Sequence, residues 1–474
     1  MLRTAFVILS GNAATSLLLL VRNLVIARLI SVEDYGIAAT FGIVMALIEM
    51  ASYLGMQQQI VQSKDGEDTR FQAALQGFQV LRGAIAAVVL FVSAGLISDF
   101  LGIPEVAWAY QVIALVPLLN AFQHFDIHRM NRKMRFKPLI LTGLVPALVS
   151  LLAIWPLYLW FGDYRVMLWS MMLQLCIGLV VSHLVAERPY RLVFDPQIMG
   201  RSLKFGWPLL VNGILMFAVF QGDKLIVGRV MGMETLAIFA MGMTLTLTPT
   251  LVMAKSLQNF FLPQLSAETE AHDSSSNMTF ETLAYMTIQA SLLNGALMVL
   301  ATICLAEPLI SVVLGAKYAA LSHILIWLAL MHAVRVAKAG SAVIALSKGN
   351  TANSMQANLP RVAAMPMIWW ALSQGAPLTV AIWIALAGEV LGYAVSFVLA
   401  IRRSGLVPGP LILPVLATCL FLIFATILVK ATDLTAIVEI GVLFLAFVVL
   451  VWSMNELRNK LCSAIHRRFG RALP

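Results

Sequence analysis

The sequence predicts an all-α polytopic membrane protein with about fourteen transmembrane helices, arranged as two six-helix lobes and two C-terminal helices. Of its 474 residues, 60% are hydrophobic and only 12% are charged, whereas soluble proteins average about 45–50% apolar and 25% charged residues. The apolar runs are long and uniform and do not alternate with polar residues at every second position. The predicted spans are therefore helices and not the strands of a membrane barrel.

Two similar copies of a short segment suggest that the lobes form an internal repeat. Residues 22–33 (RNLVIARLISVE) align with residues 223–234 (DKLIVGRVMGME). Three aligned pairs are identical, namely Leu24 with Leu225, Arg28 with Arg229 and Glu33 with Glu234. A repeat of this kind is typical of transporters in which two halves, related by a pseudo-twofold axis, bind the substrate where they meet. Chance similarity in an apolar background is the alternative.

The predicted spans divide the chain into four segments. These are an N-lobe with six spans (1–186), a cytoplasmic linker (187–205), a C-lobe with six spans (206–401) and a segment with two spans and a basic cytoplasmic tail (402–474). Most Lys and Arg residues lie in loops on one side, so the positive-inside rule predicts that both termini are cytoplasmic. The loop 263–281 is predicted on the same side although it has no Lys or Arg.

The densest basic run covers residues 126–137. We interpret it as a topology anchor at the inner membrane surface, with attraction to anionic lipid head groups as the alternative. Since basic residues mark orientation in this way, the net charge of +9 does not indicate a nucleic-acid partner. His124 and His128 on either side of Asp126 could form half of a metal site, but a surface position is favoured because further ligands are missing nearby.

The four cysteines do not indicate a disulfide or a zinc site, because they contain no CxxC pair and fall in predicted spans or the tail. They are Cys176, Cys304, Cys419 and Cys462. We therefore predict no metal and no bound cofactor.

Polar residues inside the predicted spans are the candidates for a functional site. Each charge at mid-bilayer costs about 2.5–3.5 kcal/mol, so these groups should face the interior of the helix bundle. Charges spread over both halves predict a hydrated, net cationic cavity that suits an anionic substrate. The predicted substrate-binding residues are Arg22, Arg28, Asn212, Lys255, Arg335 and Lys338, and the predicted ion-coupling residues are Glu49 and Asp223.

Each of these residues could instead have a purely structural role. An interhelical salt bridge, for example between Glu49 and Arg22, would also satisfy a charge inside the membrane. Arg82 and Arg361 are placed near the predicted inner ends of their spans, where a long side chain can extend to the membrane surface.

Residues 28–36 (RLISVEDYG) and 47–62 (LIEMASYLGMQQQIVQ) carry a family resemblance. They resemble the polysaccharide transporter family, which includes Wzx-type flippases for lipid-linked oligosaccharides and the colanic acid and teichuronic acid exporters. The same superfamily holds the multidrug and toxin extruders (MATE) and the lipid II flippases. Residues 223–228 (DKLIVG) with Gly232 are similar to the family's seventh-helix signature.

The resemblance implies alternating access and movement of an undecaprenyl-pyrophosphate-linked oligosaccharide across a bacterial inner membrane, for exopolysaccharide, capsule or O-antigen synthesis. The basic candidates would then attract the pyrophosphate or acidic sugars, and a proton or sodium gradient would act through Glu49 and Asp223. Expected partners are the lipid-linked oligosaccharide, membrane lipids, and a polymerase and chain-length regulator of the same pathway. The arginine pattern of lipid II flippases is not evident, so lipid II is not the expected substrate.

Two other functions remain open from the sequence. A MATE-like drug or cation antiporter would favour an acidic cavity, in contrast to the cationic excess here. A membrane-embedded glycan polymerase or ligase would need a sizeable outer domain, whereas every predicted outer loop is short. Since the sequence has no Gly-rich phosphate loop, G-x-S-x-G or H-E-x-x-H, we expect a transporter and not an enzyme.

Overall fold

The computed structural model is built of helices. It describes residues 2–133, 135–270, 279–350, 352–431 and 436–459, and every regular element in these ranges is helical. The predicted all-α fold is therefore confirmed. Most of the acidic loop (271–278), the basic tail from residue 460 onwards and Cys462 lie outside the described residues.

The chain forms two compact units. The N-terminal unit comprises Met1–Ala240 with Val313–Lys317, and the C-terminal unit comprises Met241–Val312 with Tyr318–Pro474. The four segments predicted from the repeat and the loop charges remain a prediction.

The N-terminal unit contains ten helices and the first part of an eleventh in its described residues. They are α1 (Leu2–Leu29), α2 (Val32–Ala51), α3 (Met56–Gln62), α4 (Thr69–Leu101), α5 (Ala107–Ile113), α6 (Leu115–Ala121), α7 (Asp126–Arg132), α8 (Lys137–Leu152), α9 (Ile154–Phe161), α10 (Arg165–Leu184) and α11 (Pro196–Glu270). Ser31 caps α2 by accepting a hydrogen bond from the backbone N of Asp34 at 3.0 Å, which satisfies a donor that the first turn leaves open. Gly232 interrupts α11 with φ 83° and ψ 176°, between the predicted seventh span (about 208–230) and eighth span (about 236–262).

The C-terminal unit contains the second part of α11 and six further helices in its described residues. They are α12 (Phe280–Pro308), α13 (Leu321–Ser347), α14 (Ala352–Ser373), α15 (Leu378–Ser404), α16 (Gly409–Ala431) and α17 (Ala436–Ser453). The helix α13 is the most enclosed of them, and it carries two of the predicted substrate-binding residues, Arg335 and Lys338.

Eight helices of the described residues are long and apolar enough to cross a membrane, and ten if each of two bent helix pairs is one span. The bent pairs are Pro104–Ala121 with Asp126–Arg132 and Lys137–Leu152 with Ile154–Phe161. The chain is thus a multi-pass membrane protein, whereas the number fourteen remains a prediction.

Candidate functional site

Five polar side chains from three helices meet inside the C-terminal unit. Arg335 and Lys338 lie one turn apart on α13, and Asn358 and Arg361 lie one turn apart on α14, because residues three apart share one helix face. They surround Glu389 of α15. We call these five residues the Glu389 cluster.

The contacts of the Glu389 cluster place three cations on one carboxylate. Arg335 donates to Oε1 of Glu389 through Nε at 2.9 Å and also through Nη2. Lys338 Nζ donates to Oε2 of Glu389 at 2.9 Å and to Oδ1 of Asn358 at 2.9 Å. Arg361 Nε lies 3.5 Å from Oε1 of Glu389.

The charged members of this cluster are shielded from solvent. Glu389 and Arg361 are 0% exposed, Arg335 is 8% exposed and Lys338 is 12% exposed. Buried ions lose several kcal/mol each in hydration, and only opposite charges and hydrogen bonds restore it. Among the ion pairs described, one carboxylate thus faces three cations, so the cluster is rich in positive charge and suited to an anion.

Small residues allow the helices to approach closely at the cluster. A Cβ at Gly392 of α15 would overlap the carbonyl oxygen of Ala357, and one at Gly388 would lie 3.3 Å from the carbonyl oxygen of Pro360. Close backbone approach at small residues is typical of membrane helices. It brings Glu389, which lies between the two glycines, within reach of both α13 and α14.

Sequence reasoning missed Glu389 and interpreted Arg361 wrongly. Arg361 does not extend to a membrane surface but is fully buried against Glu389. The missed signal was Glu389 itself, a charged residue within the otherwise apolar run 378–401. A lone acid at such a position needs a partner, and the nearby basic residues of α13 and α14 could have been assigned to it.

The N-terminal unit holds five of the predicted site residues in different surroundings. Arg22 is 7% exposed and donates to Oε1 of Gln174 on α10 and to Oδ1 of Asn23. The alternative of a Glu49–Arg22 pair is wrong, since the two form no ion pair among the described residues, and Glu49 lines a small cavity with Arg82.

The remaining candidates lie mostly on the exposed surface of the helices. Arg28, Asn212 and Lys255 are exposed, whereas Asp223 on α11 is 4% exposed. Of the eight predicted site residues, the structure brings Arg335 and Lys338 onto a common partner. The roles of all eight remain predictions.

A second charged cluster lies at the start of α7 in the N-terminal unit. Arg129 contacts Asp126 at 2.5 Å, Glu187 at 3.2 Å and Glu67 at 3.7 Å. We call these four residues the Arg129 cluster. Asp126 also accepts hydrogen bonds from the backbone N atoms of Glu187 at 2.8 Å and Arg188 at 3.2 Å. These contacts connect the segment after α10 to α7 and to the residues just before α4.

The Arg129 cluster includes part of the basic run 126–137, whose role as a topology anchor remains a prediction. Arg135 pairs with Glu187 at 2.5 Å and Lys133 pairs with Glu67 at 3.0 Å. With Arg129, three of the described basic side chains are thus paired with acids of the same unit. Hydrogen bonds from Arg135 and Arg129 hold the pKa of Glu187 below its usual range. Among the described residues, no group of three His, Cys, Asp or Glu could hold a metal ion.

Comparison with known proteins identifies a matching family and a similar transport protein. The model of a family described as polysaccharide biosynthesis protein matches residues 25–323. The succinoglycan biosynthesis transport protein ExoT of Rhizobium meliloti (strain 1021) is 22% identical over 300 residues. This match covers 62% of the present chain and 58% of the length of ExoT.

Two solved structures share the fold. Lipid II flippase MurJ in an inward closed conformation matches with a TM-score of 0.72 and 14% identity, over 98% of this chain and 99% of that chain. An inward-facing multidrug resistance MATE family transporter of the MOP superfamily matches with a TM-score of 0.65 and 14% identity, over 82% and 94% of the two chains. At these identities the likeness shows a common fold.

Proposed function

Because the chain belongs to the polysaccharide biosynthesis protein family, we propose that it is a flippase for an undecaprenyl-pyrophosphate-linked oligosaccharide. It acts in a bacterial inner membrane with both termini in the cytoplasm, and supplies exopolysaccharide, capsule or O-antigen synthesis. The observation that carries the proposal is the Glu389 cluster, a buried excess of positive charge in a protein of this family.

The chemistry of the proposed substrate accounts for that charge. A head group with two phosphates cannot enter hydrocarbon without opposite charges to replace its hydration. Arginine and lysine side chains supply strong charge-assisted hydrogen bonds to phosphate. Lys338 is the most exposed charged member of the cluster, so we propose that it contacts the pyrophosphate first and that Arg335 follows.

The other candidates complete the proposal. Arg22, Arg28, Asn212 and Lys255 contact the head group at other stages of transport, and Glu49 and Asp223 bind a proton or sodium ion that drives the cycle. A polymerase and a chain-length regulator of the same pathway receive the product.

The test removes positive charge from the cluster and measures polymer at the cell surface. The double variant Arg335→Gln and Lys338→Gln keeps hydrogen-bonding side chains beside Glu389, so the protein should still reach the membrane. We expect surface polysaccharide to be lost while protein abundance stays unchanged. The matched control is Lys348→Gln. Lys348 is an exposed lysine just after α13, and its Nζ lies over the ring of Phe280.

Normal polymer output from an abundant double variant would overturn the proposed role of the cluster. Two further assays separate the rival functions. Drug resistance conferred on a pump-deficient strain would support an antiporter, and polymer made by purified protein from lipid-linked repeat units would support a polymerase.

A further inference from the structure

The N-terminal unit contains an elongated apolar groove between α2, α4 and the first part of α11. Its volume is about 770 Å³, and we call it the α2–α4 groove. The lining is almost entirely aliphatic and aromatic, with Leu47 of α2, Ile85 and Val89 of α4 and Phe217 of α11 among its residues. Arg82 is the one charged side chain among the described residues that line it.

Glycines close one wall of this groove. A Cβ at Gly213 of α11 would overlap the carbonyl oxygen of Met50, and a Cβ at Gly206 would overlap that of Leu54. The α11 backbone therefore lies directly on the end of α2. The lining residues Ile85 and Val89 of α4 are 56% and 59% exposed, so the groove is open at α4, whereas Val92, outside the lining, is 74% exposed.

The length of the groove exceeds one leaflet of a bilayer. Its lining residues on α4 extend from Phe78 to Leu101, which at 1.5 Å per residue is about 35 Å. A hydrocarbon core is about 30 Å thick, so one leaflet takes up about 15 Å. A chain that fills the groove is thus longer than the acyl chain of a phospholipid confined to one leaflet.

The polar end of the groove has the charge that an anionic head group requires. Arg82 Nη1 donates to the backbone oxygen of Ser52 at 2.5 Å and approaches Ser52 Oγ at 3.3 Å. Its Nε is buried and has no hydrogen-bond partner in the part of the chain that the structure describes. Glu49 and Arg82 both line a second, small cavity, so a carboxylate lies near the guanidinium.

We infer that the α2–α4 groove binds the polyprenyl chain of the transported lipid, with the phosphate nearest the chain held by Arg82. The inference rests on the proposed function for the identity of the lipid. An apolar groove longer than a leaflet, with a cation at one end, is complementary to a long hydrocarbon chain that carries an anionic group. Holding the chain beside the protein would keep the lipid attached while its head group crosses.

The test measures lipid binding by the purified full-length protein with native mass spectrometry. The probes are undecaprenyl phosphate, the neutral alcohol undecaprenol and phosphatidylglycerol. Val89→Trp and Ile85→Trp each fill the groove from α4, whereas Val92→Trp adds the same bulk on the outward face of the same helix. Thermal unfolding of each variant shows that the protein remains folded.

We expect undecaprenyl phosphate to bind the wild type and Val92→Trp, and most of it to be lost from both groove-filling variants. Arg82→Gln should weaken the binding of undecaprenyl phosphate about tenfold, the contribution of one charge-assisted hydrogen bond. The affinity for undecaprenol should stay unchanged. An equal amount of phosphatidylglycerol should not displace the polyprenyl probe.

Unchanged binding in the folded groove-filling variants would overturn the inference, as would displacement by phosphatidylglycerol or by inorganic phosphate. The first result would show that the probe binds outside the groove, and the second that ordinary membrane lipid occupies this surface. The third, measured with inorganic phosphate as a competitor, would show an anion site without a chain site. Lipid binding is measured without transport. Normal polymer output from the Arg335 and Lys338 double variant would therefore refute the flippase role of the cluster, while the lipid-binding result could still be interpreted.

Discussion

The two charged clusters have opposite compositions. In the N-terminal unit one cation, Arg129, contacts three carboxylates, whereas in the C-terminal unit one carboxylate, Glu389, contacts three cations. The side chains of Glu67 and Glu187 are 41% and 43% exposed. The charged members of the Glu389 cluster are at most 12% exposed.

We interpret the Arg129 cluster as structural and the Glu389 cluster as a candidate binding site, because only the latter has all its charged members shielded from solvent. The carboxylates around Arg129 also pair with Lys133, Arg135 and Arg188, and two of them are partly exposed to water. These contacts join three chain segments, so stability alone explains them. The surplus positive charge around Glu389 is buried between membrane helices, where it is costly. A fold could use apolar residues there at lower cost, which is why we assign that cluster a role in binding.

The largest effect on stability should come from Glu389→Gln. The neutral amide leaves the buried cations without their carboxylate, and removing one partner of a buried pair costs about 3–5 kcal/mol. We expect a strong drop in melting temperature and in membrane abundance. A melting temperature equal to that of the wild type would show that other groups balance these cations.

Arg129→Met should destabilise the N-terminal unit by less, about 1.5–3 kcal/mol, the range for hydrogen bonds to charged groups. Asp126 keeps its two backbone donors, and Glu67 and Glu187 remain in contact with water. Thermal unfolding of the purified protein measures the effect. Lys133→Met is the control, since this exposed lysine contacts Glu67 alone among the described ion pairs, and a change as large as that of Arg129→Met would be unexpected.

Lys338→Gln should separate stability from transport. Glu389 retains Arg335 and Arg361, and the new amide can still bond to Asn358, so we expect a loss of only about 1 kcal/mol. Surface polysaccharide should nevertheless fall markedly. If stability falls as far as in Glu389→Gln while output per folded molecule stays normal, the lysine is structural.

The smallest effect concerns pH. Since Arg135 and Arg129 lower the pKa of Glu187 in the folded protein, this carboxylate stabilises the fold above its unfolded pKa of about 4.3, and the stabilisation is lost as pH falls through the lower folded value. The difference in melting temperature between wild type and Glu187→Gln should therefore be present at pH 6 and vanish in stronger acid. A difference that grows on acidification would contradict the direction of the shift.

Composition and apolar run length were sufficient to predict the all-α membrane fold, and residues 28–36 and 47–62 were sufficient for the family. Helical spacing also placed Arg335 and Lys338 on one face. The identity of their partner could not be read from spacing, because Glu389 lies 51 residues beyond Lys338 and the contact depends on how three helices pack. For the same reason Arg361 was assigned to the membrane surface, and the α2–α4 groove was not foreseen.

The most direct test is transport by purified protein in liposomes that carry an undecaprenyl-pyrophosphate-linked oligosaccharide. An enzyme that acts on the sugar from outside reports how much has crossed. We expect wild type and Lys348→Gln to move the lipid, and the folded Arg335→Gln and Lys338→Gln double variant to move almost none. Equal rates for the double variant and the wild type would contradict the claim that the buried positive charge beside Glu389 binds the transported head group.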